Sequence, residues 1–267
     1  MKKLIAILLL LVIVFMLLLE VSNVCKYFFF DTVKINNGNT KMVAHRGSPW
    51  LEVENTDAAF EAAGQRSYFA IEADLRKTAD GEFVICHDPD LKRLAWQNIH
   101  VESSTLEELL VIPLKDEFGR ECTKNRLTVL QNYVQICKKH DKTCFLELKS
   151  EFSLQDIERI IEIIGREDYL HQVTFISMDR DNLVKLRSLL PDQSAQYVTS
   201  EYTDETLGFL KENRLDLALK YVKITKKIVN ELHDAGIKIN LWTVNNQITA
   251  MILVSWGVDY ITTNILE

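Results

Sequence analysis

From residue 41 onward, short runs rich in β-branched residues alternate with amphipathic helical stretches, and this alternation constrains the fold more than any other feature. Strands are predicted at 41–45, 68–75, 82–87, 143–149, 172–177, 194–199, 216–221, 238–244 and 258–263. Helices are predicted at 56–65, 105–111, 128–139, 153–165, 180–190, 203–213, 225–235 and 247–255. Strand followed by helix, repeated, makes a parallel sheet, and 267 residues suit one TIM-type (β/α)8 barrel with a short extension. The strand candidates exceed eight by one. Only Arg76 to Gly81 separate the second from the third, too few for a helical crossover between parallel neighbours. One segment is therefore expected outside the regular barrel, or that connection is irregular. Asp80-Gly81 reads as a turn.

Ahead of this pattern stands Met1-Lys2-Lys3 and an unbroken apolar run, Leu4 to Leu19. It is longer than most signal-peptide cores, slightly short of a full span, and no small-x-small cleavage site follows Glu20. The expected organisation is a transmembrane anchor or uncleaved signal at 1–24, a polar linker at 25–40 and a barrel domain at 41–267. Lys2 and Lys3 place the N-terminus in the cytoplasm and the barrel on the outer side, as a single-pass membrane protein.

A net charge of -7 with scattered Lys and Arg leaves no footprint for nucleic acid. Cys25, Cys86, Cys122, Cys137 and Cys144 have neither zinc spacing nor the density of a disulfide scaffold. Cys86 and Cys144 fall in predicted buried strands, where a thiol behaves as a small hydrophobe.

Barrel active sites are built at the C-terminal ends of the strands, and polar residues converge there. The first predicted strand ends in Ala44-His45-Arg46-Gly47, the second holds Glu72 and Asp74, the third ends in His87-Asp88, and the fourth holds Glu147 and Lys149. Strand alternation puts Glu72 and Asp74 on one face and Ile71, Ala73 and Leu75 on the other, and likewise sets Glu147 beside Lys149. If the apolar set packs under the helices, three carboxylates crowd the barrel interior, where repulsion and desolvation call for a cation. Hard oxygen donors of this kind suit Mg²⁺ or Ca²⁺ better than Zn²⁺. Taken alone, Glu147 and Lys149 also fit a buried ion pair without chemistry, and Lys92-Arg93 reads as a solvated surface pair.

Over roughly residues 42 to 264 the chain resembles the glycerophosphodiester phosphodiesterase family. The resemblance is carried by Ala44-His45-Arg46-Gly47, Glu54-Asn55-Thr56, Ile71-Glu72-Ala73-Asp74-Leu75, Lys77 to Gly81, His87-Asp88, Glu147-Leu148-Lys149, Trp242-Thr243-Val244-Asn245 and Gly257 to Thr263, in that order. It implies His45 and His87 as general acid and base, Glu72, Asp74 and Glu147 as ligands of a divalent metal, Arg46 and Lys149 on the phosphate, and Trp242 against the glycerol or leaving group. Val53, Asn264 and Arg66 to Phe69 depart from the family's pattern, and none is expected to touch an implied ligand or acid/base residue.

The expected activity is metal-dependent hydrolysis of a glycerophosphodiester to glycerol 3-phosphate and an alcohol. A lysophospholipid substrate, cleaved in lysophospholipase D fashion, is the alternative favoured by the N-terminal run and the adjoining Tyr27 to Phe30. Cleavage of polyglycerol-phosphate polymers and non-catalytic phosphate binding by a tethered protein remain further alternatives. The N-terminal reading predicts that protein extracted from membranes keeps Met1 to Leu19; an intact mass corresponding to a chain that starts after Glu20 would overturn it.

Overall fold

A computed structural model describes residues 32–115, 121–122 and 125–267. The expected anchor at 1–24 and Cys25 lie outside the described residues, as does the Cys122 side chain. Among the described residues, no helix is long and apolar enough to cross a membrane. Val33–Glu267 forms one compact unit.

Eight parallel strands close on themselves: β1 (Lys41–Ala44), β2 (Ala70–Lys77), β7 (Thr143–Leu148), β8 (Val173–Ser177), β9 (Ala195–Thr199), β10 (Asp216–Lys220), β11 (Ile239–Trp242) and β12 (Tyr260–Thr263), which returns to β1. This is the expected barrel. The surplus strand is β3 (Phe83–Ile85), which folds back antiparallel on the end of β2, with Leu75 opposite Ile85 and Lys77 opposite Phe83. The short turn through Gly81 permits only that direction, because a parallel neighbour needs a long crossover.

Residues 78–129 are thus an insertion between β2 and its crossover helix α4 (Leu130–Lys139). It holds β3, the short helices α2 (Lys92–Ala95) and α3 (Leu106–Leu110), a small pair β4 (Leu114–Lys115) with β5 (Glu121–Cys122), and β6 (Thr128–Val129). The insertion has an apolar core of its own, including Val84, Leu91, Leu109 and Leu114. Helix α3 starts with the capping box between Thr105 and Glu108. Of the insertion's elements, β3 and α3 match the strand expected at 82–87 and the helix expected at 105–111, whereas α2, β4, β5 and β6 escaped the sequence reading because each is two to four residues long, below what periodicity can register.

The remaining crossovers are α1 (Asp57–Gly64), α5 (Leu154–Arg166), α6 (Arg180–Leu189), α7 (Asp204–Asn213), α8 (Lys226–Asp234) and α9 (Gln247–Ser255). Ile71, Ala73, Leu75, Leu146 and Leu148 pack outward into the main core under the helices, as alternation requires. The inward residues are layered. Val43, Ala70, Phe145 and Tyr260 form an apolar floor. Above them a polar rung links three strands: the Thr262 hydroxyl donates to Asn240 Oδ1 at 2.9 Å, and Asn240 Nδ2 donates to Gln196 Oε1 at 3.1 Å.

The end of β1 turns sharply, with Arg46, Gly47 and Ser48 all at positive φ (50°, 76° and 66°). A Cβ on Gly47 would lie 2.7 Å from Phe60 Cδ1 and 2.9 Å from the Ala59 carbonyl carbon. Gly47→Ala is therefore expected to destabilise by about 2–4 kcal/mol, from backbone strain plus overpacking. Gly165→Ala in α5, where a Cβ would meet nothing within 4 Å, should instead stabilise by about 0.5 kcal/mol. Urea unfolding midpoints of the two variants check both signs.

Candidate active site

The C-terminal ends of the strands surround a cavity of about 170 Å³. His45, Arg46, Glu72, His87, Glu147, Lys149 and Trp242 line it, and Asp74 lies directly behind, so the structure gathers all the residues singled out in the sequence. Glu72, Asp74 and Glu147 each offer a carboxylate oxygen, and these oxygens lie within 4.8 Å of one another.

Two cations partly neutralise the three acids. Lys149 Nζ sits 3.1 Å from Glu147 and 3.7 Å from Asp74, and Arg46 Nε lies 3.4 Å from Asp74. The backbone N–H of Arg46 donates to Glu72 Oε2 at 2.7 Å, a bond made possible by the positive-φ turn. Asn55 Nδ2 donates to Asp74 Oδ2 at 2.8 Å.

The three carboxyls are not equivalent. Burial drives Asp74 upward, but Arg46 and Lys149 outweigh it and hold the group below its ordinary value. Burial and the Asp74 charge push Glu72 well above the ordinary range, and the same two causes push Glu147 up to about 7. One carboxyl held down and two pushed up is the pattern of a site short of positive charge.

The histidines have different partners. His45 Nδ1 lies 2.7 Å from Asn264 Oδ1, a neutral amide oxygen, and burial with the Arg46 charge holds the ring down to about 4. Asn264 was expected to touch no acid/base residue; chain closure of the barrel, which sets β12 beside β1, puts it there. His87 Nδ1 lies 2.7 Å from Asp88 Oδ1, a carboxylate; burial lowers this ring too, against the opposing pull of Asp74.

Lys92 and Arg93 are both exposed, as expected of a surface pair, but Arg93 is also tied to the site. Its guanidinium grips Glu54 through both Nη atoms at 2.7 and 2.8 Å, and its Nε donates to Asp88 Oδ2 at 2.7 Å. Glu54 in turn accepts from Arg46 Nη1 at 2.9 Å. A chain of ion pairs therefore runs from His87 through Asp88, Arg93 and Glu54 to Arg46. Separately, Arg76 donates twice to the His87 carbonyl, at 2.7 and 3.1 Å, and pairs with Glu102. Sequence reading missed Arg76 and Arg93 because their partners lie on the insertion and on the 45–56 loop, at no fixed spacing.

The opposite wall is apolar. Ile176, Met178, Val198, Ala218 and Trp242 come from β8 to β11 or follow them, and Ile176, Val198 and Ala218 pack as one cluster against Trp242. The Trp242 Nε1–H is buried without a hydrogen-bond partner. Such a site can neutralise an anion on one side and seat an uncharged group on the other. Cys86, Cys137 and Cys144 are free and buried, and burial raises the Cys86 thiol to about 12, far from any reactive range.

The sequence profile of the glycerophosphoryl diester phosphodiesterase family matches residues 45–267. A glycerophosphodiester phosphodiesterase of Caldanaerobacter subterraneus is 26% identical over 228 residues, covering 84% of this chain and 94% of that protein. Among solved structures, a phosphodiesterase of Oleispira antarctica in complex with the product sn-glycerol-3-phosphate superposes with a TM-score of 0.76 at 23% identity, covering 86% of this chain and 95% of that one. A glycerophosphodiester phosphodiesterase of Parabacteroides distasonis gives 0.72 at 25% identity, covering 85% and 93%. These relatives consist almost entirely of the part that matches. The profile match spans both histidines, the carboxylate cluster and the closing strand, and the chain belongs to the glycerophosphoryl diester phosphodiesterase family of enzymes.

Proposed function

We propose that the protein hydrolyses a glycerophosphodiester to glycerol 3-phosphate and an alcohol, with His45 as general base and His87 as general acid. The carrying observation is the asymmetry of the two rings within one cavity. With Nδ1 donating to the neutral Asn264 amide oxygen, His45 presents Nε2 as its acceptor and has no carboxylate bonded to its ring. His87, bonded to the Asp88 carboxylate, is the better stabilised of the two as a cation. His45 takes a proton from the attacking water as the new P–O bond forms. His87 gives a proton to the leaving alkoxide as the other P–O bond breaks. Arg46 and Lys149 bind the phosphoryl oxygens.

The donor set fits a divalent cation: three buried carboxylates, two of them pushed up for want of positive charge. Glu72, Asp74 and Glu147 would hold Mg²⁺ or Ca²⁺, which would supply charge neutralisation at the phosphoryl oxygens. The lysophospholipase D reading keeps support from the apolar wall at Met178, Val198 and Trp242, which can seat an acyl-bearing group. The N-terminal run is proposed to tether the barrel on the outer side of a membrane. Turnover of glycerophosphocholine and of a lysophospholipid, each with and without EDTA, tests substrate and metal together; activity on both substrates that persists in EDTA would overturn the metal role, and activity on neither would overturn the function.

The acid/base assignment predicts a leaving-group effect. His45→Ala should slow hydrolysis by at least about 100-fold for any leaving group, whereas His87→Ala should do so for glycerophosphocholine but far less for a p-nitrophenyl phosphodiester, whose leaving oxygen needs no proton. Equal losses in both variants on both substrates would refute it. Arg93→Lys, which loses the two-pronged grip on Glu54, should lower kcat by about tenfold and shrink that leaving-group difference.

The carboxylates predict an inverted pH dependence of stability. Glu147 rises in the folded state from 4.5 to about 7, so the folded protein holds a proton that the unfolded chain has lost. Without metal, stability should therefore fall as pH rises from about 4.5 to about 7. Mg²⁺ or Ca²⁺ should remove that fall, and Asp74→Asn should abolish the metal response. Urea midpoints of residues 33–267 at the two ends of the window, with EDTA and with metal, measure it.

A further inference from the structure

On a chain of net charge -7, the stretch 217–230 carries four lysines, Lys220, Lys223, Lys226 and Lys227, and no Asp or Glu. All four are exposed, and none makes an ion pair or a side-chain hydrogen bond. They lie where β10 passes into α8, on the rim that holds the active site. Lys220 is in register with Trp242, which lines the cavity.

Helix stability does not account for this placement. Lys226 and Lys227 occupy the first turn of α8, where the positive end of the helix dipole disfavours cations. Helix α7 shows the ordinary choice, with Asp204 and Glu205 in its first turn, and α5 places Asp156 there. Acidic groups occur on adjoining elements: Glu201, Asp204 and Glu205 on the approach to α7, and Glu231 one turn along α8. Of these, Glu205 is already paired with Arg180.

Among the lysines, Val222 stands 58% exposed with the half-buried Tyr221 beside it, and Met178 at the cavity mouth is 51% exposed. Cations surrounding a projecting apolar side chain, with an amphipathic aromatic alongside, match a bilayer interface: ammonium groups at the headgroups, a short apolar contact beneath. A soluble polyanion would use the lysines and leave Val222 without a purpose.

We propose that residues 220–227 are a docking surface for an anionic lipid bilayer, holding the mouth of the active site against it. The proposal rests on the phosphodiesterase reading only for what docking delivers, namely diesters drawn from the membrane surface.

The test uses residues 33–267, the compact unit that corresponds to whole proteins among the relatives, so that the N-terminal apolar run cannot bind by itself. Sedimentation with vesicles of phosphatidylcholine alone and of an equimolar phosphatidylcholine–phosphatidylglycerol mixture should show binding to the second only. Raising salt from about 0.1 M to about 1 M, which cuts the screening length from about 10 to about 3 Å, should release it. Each lysine near an anionic surface multiplies partitioning about fivefold, so replacing all four by Gln should weaken binding on the order of a hundredfold or more. Val222→Ser should weaken it severalfold. Both variants should keep wild-type kcat/KM on glycerophosphocholine, which reports folding and the catalytic reading independently.

Equal binding to the two vesicle types, or a four-Gln variant that binds like wild type, would overturn the proposal. So would soluble polyphosphate bound as tightly as the anionic vesicles with no effect of Val222→Ser, which would make the patch a polyanion site. A wild-type domain inactive on glycerophosphocholine but sedimenting with anionic vesicles would leave the docking surface standing and remove the proposed catalysis.

Discussion

Three carboxylates share one end of the barrel with only two cations to answer them, and the arrangement of the active end follows from that deficit. Glu72 and Asp74 stand two residues apart on β2, and Glu147 stands beside them in register on β7. Parallel strand pairing leaves them no way to separate. Arg46 and Lys149 hold Asp74 below its ordinary value, while burial and the Asp74 charge push Glu72 and Glu147 up. A cluster this costly to bury serves a purpose only if a cation or a substrate completes it. The turn after β1 is shaped to the same end, with positive-φ residues aiming the Arg46 N–H at Glu72.

The insertion contributes what the barrel strands cannot reach. By folding β3 antiparallel onto β2, it returns the chain to the rim and brings His87 into the same cavity as His45. Its orientation is fixed twice, by Arg76 on the backbone carbonyl and by Asp88 on the ring. Arg93 then ties Asp88 to Glu54 and so to Arg46, which links Arg46 to His87. Since Arg93 bonds two carboxylates at once, its planar fork is better suited to the position than a lysine ammonium.

The two sides of the cavity divide labour by strand. Strands β1, β2 and β7 supply charge, while β8, β9, β10 and β11 supply Ile176, Val198, Ala218 and Trp242. Beyond the apolar side, the loop that leaves β10 carries the unpaired lysines around Val222. The same quarter of the barrel thus offers an apolar lining inside and a cationic, partly apolar lip outside, an arrangement suited to a substrate with an uncharged tail presented at an anionic surface.

Strand and helix periodicity determined the barrel by itself, because each element is long enough to bury one face and the period shows which. The same alternation placed Glu72, Asp74, Glu147 and Lys149 on the inner face, and the short gap at 76–81 already demanded an exception after β2. Only the tertiary structure decided that His45 meets Asn264, 219 residues away, and that Arg93 meets Glu54, 39 residues away. Hydrogen bonds and ion pairs of this kind depend on where barrel closure and the insertion bring side chains within about 3 Å. No local period encodes such distances, since they arise from the packing of whole elements rather than from the spacing of residues along one of them.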